Sequence, residues 1–334
     1  MKAITKSTFL IFITALTLSI QSVSAFAAIT VKGDDCSDIQ KAIDKLPASG
    51  GEVLIPAGIY NCSAPIVMDK NHVLLRGEGS STVLRLDDQI NAPVLVMGRT
   101  ENVPQESTKH IKVSHLMIDG NRENQSQECM GGECSDQFPL RNNGISLRRC
   151  TDCTVESVTI HSAISGGLVT ELGCRRLTIR DYTSFNNAFD GLAGYETEDS
   201  TFSGINLYSN KAAGISTDIK FNNNKFYDVT ISDNKSVGIF MRDSLDNSFT
   251  NLHIRNNEQH GIFLAQVNSD PETAATGNTF TSVVISNSGG AGIQANDKSC
   301  VNNMIVGAQY INNKSGCVGE ATSGLLENVG AICR

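Results

Sequence analysis

A glycine followed by isoleucine or leucine recurs at Gly144, Gly167, Gly191, Gly214, Gly238, Gly261 and Gly292, at intervals of 23, 24, 23, 24, 23 and 31 residues. Periods of this size belong to chains whose repeating unit buries its apolar face only against copies of itself. Two side ladders hold the same register. Asn187, Asn210, Asn234 and Asn257 stand four residues before their anchors, while Asn224, Asn247 and Asn278 precede Phe226, Phe249 and Phe280 by two. The segments between them, such as Thr178-Ile179, Val229-Thr230-Ile231 and Leu252-His253-Ile254, are short and β-branched, and Asn, Asp, Ser and Gly separate them. Their register is a coil length rather than a turn length, which excludes a hairpin meander. The pattern predicts an all-β fold: a single-stranded parallel β-helix solenoid with regular coils over about 144–316. Coils would stack ~4.8 Å apart, with aligned Ile, Leu and Phe filling one core and the asparagines bonding the turns.

The start of the chain differs from the coils. Cys36 to Leu46 has helical apolar spacing at Ile39, Ala42, Ile43 and Leu46, closed by Gly50-Gly51, and predicts an N-terminal capping helix over the open end of the core. It leads into Gly51-Glu-Val-Leu-Ile-Pro-Ala-Gly-Ile-Tyr60 and the turn Arg76-Gly-Glu-Gly79. With these segments the chain, from about Cys36 to Cys317, resembles the pectate-lyase-like (pectin lyase-like) superfamily, and the later coils resemble its right-handed repeats. The resemblance implies a right-handed parallel β-helix with a polysaccharide groove on one sheet face. It assigns no reaction. Of the polygalacturonase-like pattern only His260-Gly261 is present, and Phe189-Asp190-Gly191 matches only the first part of the uronan-epimerase-like Asp-Pro-His signature.

Residues 1–27 read as an export signal: Lys2 and Lys6, an apolar stretch from Thr8 to Ile20, and a cleavage site at Ala25-Phe26-Ala27 or Val23-Ser24-Ala25. Residues 28–334 then form a single β-helix domain, interrupted by an insertion at about 122–143. Export places the protein in the periplasm or outside the cell, where ten cysteines favour disulfides. Cys129 and Cys134 would close the insertion, Cys36 and Cys62 would fix the cap, and Cys150 and Cys153 are read as a disulfide rather than a zinc half-site, because no paired histidines accompany them. The pairing of Cys300, Cys317 and Cys333 stays open. Without Lys2 and Lys6 the chain has 25 basic residues against 35 acidic ones and no Lys/Arg cluster, which argues against nucleic acid. No second apolar run of ~18 residues follows, so no membrane association is expected after signal cleavage. Nothing in the pattern indicates an oligomeric state.

In a strand opening on the anchor glycine the next residue points inward, so the second and fourth places face out. The fourth place reads Arg148, Glu171, Tyr195, Asp218, Arg242, Ala265 and Asn296; the second is blander, from Ser146 to Phe263. Five consecutive coils therefore carry large polar groups in one column. Cross-strand charge pairing on an ordinary soluble face would give the same column. Beside it stand Asp190 and His260 directly before their anchors, and Glu196, Asp243 and Gln266 directly after the column. The insertion would overhang it.

Two chemistries fit this column. Glu171 and Asp218, two coils and ~9–10 Å apart, approach the ~6.5–9.5 Å carboxyl separation of inverting glycosidases. Alternatively, Tyr195 removes the C5 proton of a uronic acid, Arg242 or Arg148 binds the carboxylate, and His260 donates a proton, as in lyases and epimerases. The candidate catalytic set is thus Glu171, Tyr195, Asp218, Arg242 and His260, with Arg148, Asp190, Glu196, Asp243 and Gln266 binding the glycan. No cofactor is required, although a Ca²⁺ bridging Glu171 and Asp218 to a polyanion is chemically admissible. A non-catalytic glycan-binding or adhesive protein and a structural envelope protein are the alternatives to an enzyme.

Overall fold

The computed structural model describes residues 28–126, 140–268, 270–322 and 324–334. The expected export signal and the Cys129–Cys134 closure lie outside the described residues. Within them, the anchor glycines mark the places where the wall of the coil passes closest to the opposite wall. A Cβ on Gly144 would stand 2.2 Å from Ile160 Cγ2, and one on Gly214 would stand 2.4 Å from Ile231 Cγ2. Only glycine leaves room for that approach.

After each anchor runs a short strand: Ile145–Arg148, Leu168–Glu171, Leu192–Tyr195 and Ile215–Asp218, then Ile239–Met241, Ile262–Leu264 and Ile293–Ala295. These pair in parallel, with Ile145, Leu168, Leu192, Ile215, Ile239, Ile262 and Ile293 as successive partners. Ile66–Met68 and Leu95–Gly98 continue them into a 9-stranded anchor sheet. One or two left-handed residues then turn the coil, for example Arg149 (φ 49°), Glu196 (φ 43°) or the pair Ile219 and Lys220 (φ 50° and 58°). Four two-residue strands follow as a corner sheet: Thr108–Lys109, Cys150–Thr151, Cys174–Arg175 and Thr197–Glu198. The return wall is a 15-stranded sheet whose eight-residue strands include Thr154–His161, Thr178–Phe185, Thr201–Tyr208, Lys225–Ser232 and Ser248–Arg255. It carries the β-branched segments noted in the sequence. A left-handed residue in the middle of each strand, such as Ser157, Asp181 or Asp228, bends this wall.

One apolar core runs from Val31 to Tyr310. Within it the rings of Phe202, Phe226, Phe249 and Phe280 stack at centroid distances of 4.4, 4.4 and 5.0 Å. The asparagines lie at the turns as expected. The Asn187 amide donates to Asn210 Oδ1 at 2.9 Å, Asn210 to Asn234 at 3.0 Å and Asn234 to Asn257 at 2.9 Å. A second ladder links Asn224, Asn247, Asn278 and Asn303. The first one breaks at the long coil, where Ser288 takes the ladder place. Asn257 Nδ2 and Ser288 Oγ are buried there without partners.

Helix α1, Cys36–Asp44, caps the core with Ile39, Ala42 and Ile43, and Asp35 accepts the Asp38 N–H at 3.1 Å as its N-cap. Disulfides Cys36–Cys62 and Cys317–Cys333 tie the two ends. The expected Cys150–Cys153 disulfide is absent, and both thiols are free and buried. They are engaged across coils instead: Cys150 Sγ donates to Met97 O at 3.2 Å, Cys153 Sγ donates to Thr108 O at 3.7 Å, and Cys174 Sγ accepts the Cys150 N–H at 3.3 Å. Stacking against neighbouring coils has taken the partners that sequence proximity suggested. Among the described residues no helix is long and apolar enough to cross a membrane.

Candidate functional site

The anchor sheet decides which side chains face outward. Ile145, Leu168, Leu192 and Ile215 are fully buried in the core, which turns the fourth place of each strand to the outer face. Arg148 pairs with Glu171, and Tyr195 pairs with Asp218, as register partners on adjacent strands. Arg242, Ala265 and Asn296 lie one residue past the ends of the three shorter strands.

A pocket of about 440 Å³ opens in the middle of this column, lined among others by Arg141, Asp190, Tyr195, Asp218, Phe240 and Arg242. The Tyr195 hydroxyl lies 3.4 Å from Arg141 Nη1, and the Arg141 guanidinium carbon is 5.6 Å from the centroid of the same ring. Burial pushes the Tyr195 phenol above its usual pKa. Asp190 and Asp218 add to that shift, and Arg141 opposes it. Arg141 forms no ion pair with any described residue. Asp218 Oδ2 accepts Arg242 Nε and Nη2, each at 2.6 Å, and its Oδ1 accepts the Ile219 N–H at 2.9 Å. The Arg242 guanidinium carbon is also 5.5 Å from the Phe240 ring centroid. Asp190 is buried, and its Oδ1 accepts the Ala213 N–H at 2.8 Å. The arrangement joins a protonated phenol, an ion-paired carboxylate and a guanidinium with no carboxylate partner among the described residues in one opening.

Other members of the expected site lie elsewhere. Arg148 gives Nε to Glu171 Oε1 at 2.8 Å, Nη1 to Arg99 O at 2.7 Å and Glu101 O at 2.9 Å, and Nη2 to Asn102 O at 3.2 Å. Its donors hold a loop, not a ligand. Glu171 and Asp218 are drawn apart, one to the arginine of the preceding coil and the other to the arginine of the following coil. Each carboxylate is held by its own arginine. The described group with metal-binding spacing is Asp34, Asp35 and Asp38, beside the cap helix. His260 lies outside the pocket, three coils and ~14 Å from Asp190 at the same pre-anchor place. Its Nδ1 accepts the Ala291 N–H at 3.0 Å, and burial pushes its pKa down. Asp243 is a left-handed turn residue (φ 42°) whose N–H donates to Thr273 O at 2.6 Å. Gln266 accepts the Ser299 hydroxyl, and its backbone N–H donates to Asp297 Oδ2 at 3.0 Å. Glu196 faces a second cavity around the corner.

Arg141 and Phe240 were missed as pocket residues. Arg141 belongs to the irregular insertion, where no period marks it. Phe240 did carry a signal, because an aromatic ring at an outward place invites a question. Phe240 and Phe263 stack on that face at 5.9 Å.

Residues 143–328 match the family model described as a right handed beta helix region. Among curated proteins, the mannuronan C5-epimerase AlgE4 of Azotobacter vinelandii is 32% identical over 175 residues, covering 50% of this chain and 30% of that protein. Alginate lyase 7 of the same organism is 31% identical over 168 residues, covering 48% and 19%. The match therefore spans less than a third of either relative's length. Among solved structures, the A-module of the Azotobacter vinelandii epimerase AlgE4 superposes with a TM-score of 0.67 at 21% identity, covering 84% of this chain and 74% of the module. At that identity the likeness is one of fold.

Proposed function

The chain belongs to the right-handed β-helix family, and from that premise we propose that it is an exported enzyme acting on a uronic-acid-containing polysaccharide at the Tyr195 pocket. The reaction is elimination or epimerisation at C5. Arg141 carries this reading: a guanidinium without a carboxylate partner among the described residues, 3.4 Å from a phenol in an open pocket. Removing the C5 proton sends charge into the adjoining carboxylate, and a fixed cation there stabilises the transition state more than the ground state. Arg141 supplies that cation from above the ring, and Arg242 supplies a second one at the pocket wall. Tyr195 donates a proton. Burial keeps it a phenol at rest, so once a pocket carboxylate has taken the C5 proton the phenol delivers its own, to the opposite face of C5 in epimerisation or to the departing glycosidic oxygen in elimination. It is reprotonated afterwards from that carboxylate or solvent, with Arg141 easing the charge on its oxygen. The receiving base is drawn from the two carboxylates of the same pocket, Asp190 and Asp218.

The names of the relatives favour this chemistry over hydrolysis, since one is an epimerase and the other a lyase of the same polymer class. The two disulfides and the N-terminal apolar segment favour the periplasm or the exterior as its location. The test is incubation with mannuronan in heavy water. Deuterium entering C5 reports epimerisation, ultraviolet absorbance of an unsaturated end reports elimination, and Tyr195→Phe is expected to lower either by roughly 10²–10⁴-fold without changing the melting temperature. Reducing ends without either signal would turn the reading to hydrolysis. Binding without any turnover, unaffected by Tyr195→Phe, would turn it to a glycan-binding protein.

A further inference from the structure

A second cavity of about 410 Å³ abuts the Tyr195 pocket around the corner, where the anchor sheet hands over to the corner sheet. Its polar lining includes Ser107, Arg149, Arg175, Glu196, Glu198 and Lys220. Three of these residues continue the column by one or two places. Arg149 follows Arg148, Glu196 follows Tyr195, and Lys220 follows Asp218 and Ile219. Ile219 lines the first pocket and Lys220 the second, so the two openings meet across one peptide.

The shape of the first pocket gives the direction of travel. Along the chain its lining runs from Ala213 to Ile219, ~20 Å at the rise of a strand. Across the coils it takes residues from three neighbours, the segments containing Asp190, Ser216 and Phe240, ~10 Å in all. A polymer seated there follows the strand direction, perpendicular to the solenoid axis, and its next units pass over the corner into the second cavity.

The charges in that cavity are unequally committed. Arg175 is bonded to Glu198 at 3.1 Å and Asp199 at 3.2 Å. The side chains of Arg149 and Lys220 have no hydrogen-bond or ion-pair partner among the described residues. Glu196 also has an uncommitted carboxylate, which suits sugar hydroxyls. The geometry points to a distal subsite in which Arg149 and Lys220 bind the carboxylate of a further uronate residue of the same chain. Arg149 and Lys220 are three coils, ~14 Å, apart at the backbone, and long flexible cations on either side of a cavity can close on a ligand between them. This rests on the reading of the Tyr195 pocket as a uronan site.

The test compares the full chain with an Arg149→Asn, Lys220→Asn double variant. Both positions have left-handed backbone, φ 49° and 58°, which asparagine tolerates. The probes are purified oligomannuronates of increasing length, followed by calorimetric binding and by turnover. The wild type is expected to gain affinity once the oligomer is long enough to pass the corner. The variant should lose that gain, about 10-fold in Kd and KM for long oligomers, with short oligomers and kcat unchanged. A loss of equal size at every length would mean a general field effect and overturn the subsite, as would no loss at all. If turnover persists without the length effect, only the subsite fails. If the wild type neither binds nor converts any oligomer, the reading of the Tyr195 pocket fails with it.

Discussion

Arg148 with Glu171 and Arg242 with Asp218 are the same kind of pair between adjacent coils of one column, yet their burial is reversed. In the first pair the arginine side chain is 4% exposed and the carboxylate 27%; in the second the arginine is 40% exposed and the carboxylate 8%. The difference lies in what covers them. The segment containing Arg99, Glu101 and Asn102 folds over Arg148 and offers three carbonyls, which with Glu171 engage all three nitrogens of that guanidinium. Arg242 has Phe240 beneath it and open pocket beside it. One motif has become a structural clamp and the other a pocket wall.

The contrast is broken most directly by Arg148→Ala. It leaves Glu171 and three carbonyls without their donor, and the expected loss is about 3–5 kcal/mol in denaturant unfolding. A loss below about 1 kcal/mol would reduce the clamp to an ordinary surface pair. Arg242→Ala should do the reverse. Stability should fall by about 1–3 kcal/mol, the cost of leaving the 8%-exposed Asp218 carboxylate without its cation, while kcat/KM on the polymer should fall about 10-fold, since a pocket cation is lost. Equal stability losses in the two variants would erase the distinction.

The turn ladder shows the same contrast in another form, a regular place with one irregular occupant. Ser288→Asn gives Asn257 Nδ2 an acceptor and extends the ladder toward Asn313, whose Oδ1 already accepts the Ser288 N–H at 3.0 Å. The expected gain is about 0.5–1.5 kcal/mol, read as a higher melting temperature; a fall would show that the larger side chain does not fit.

The smallest effect concerns His260, at the pre-anchor place that Asp190 occupies in the pocket. Burial favours its neutral form, so its folded pKa lies below the unfolded value. Its contribution is therefore complete above about pH 6.5 and is lost as pH falls through the lower folded value. His260→Asn should flatten that part of the melting-temperature profile. It should leave the pH dependence of turnover unchanged, because His260 lies outside the pocket. A shift in the turnover profile would return His260 to the site.

Tyr195, Asp218 and Arg242 were legible as members of one outward column, and so as neighbours in the pocket, because the repeat acts as a ruler from which that column can be counted. Asp190 was legible only as an odd residue before its anchor. Arg141 was invisible, since it stands in an insertion with no period. Arg148, Glu171 and His260 were legible as positions but lie outside the Tyr195 pocket: a periodic pattern places a side chain on a face without saying what folds over that face. The free thiols of Cys150 and Cys153 follow the same logic, each donating to a carbonyl one coil away with no disulfide between them.

By itself the sequence determined the solenoid. Each residue's main neighbour is its counterpart about one coil on, so apolar, asparagine and glycine places repeat in the chain as they do in space. Tertiary structure alone decided which outward groups are available for chemistry. Availability depends on the non-repeating segments that lie over the column and on the side-chain pairings they force. Those segments carry no anchor and no ladder place: Arg148 reaches back to carbonyls of the loop containing Arg99, Glu101 and Asn102, and Arg141 reaches 54 residues forward to Tyr195.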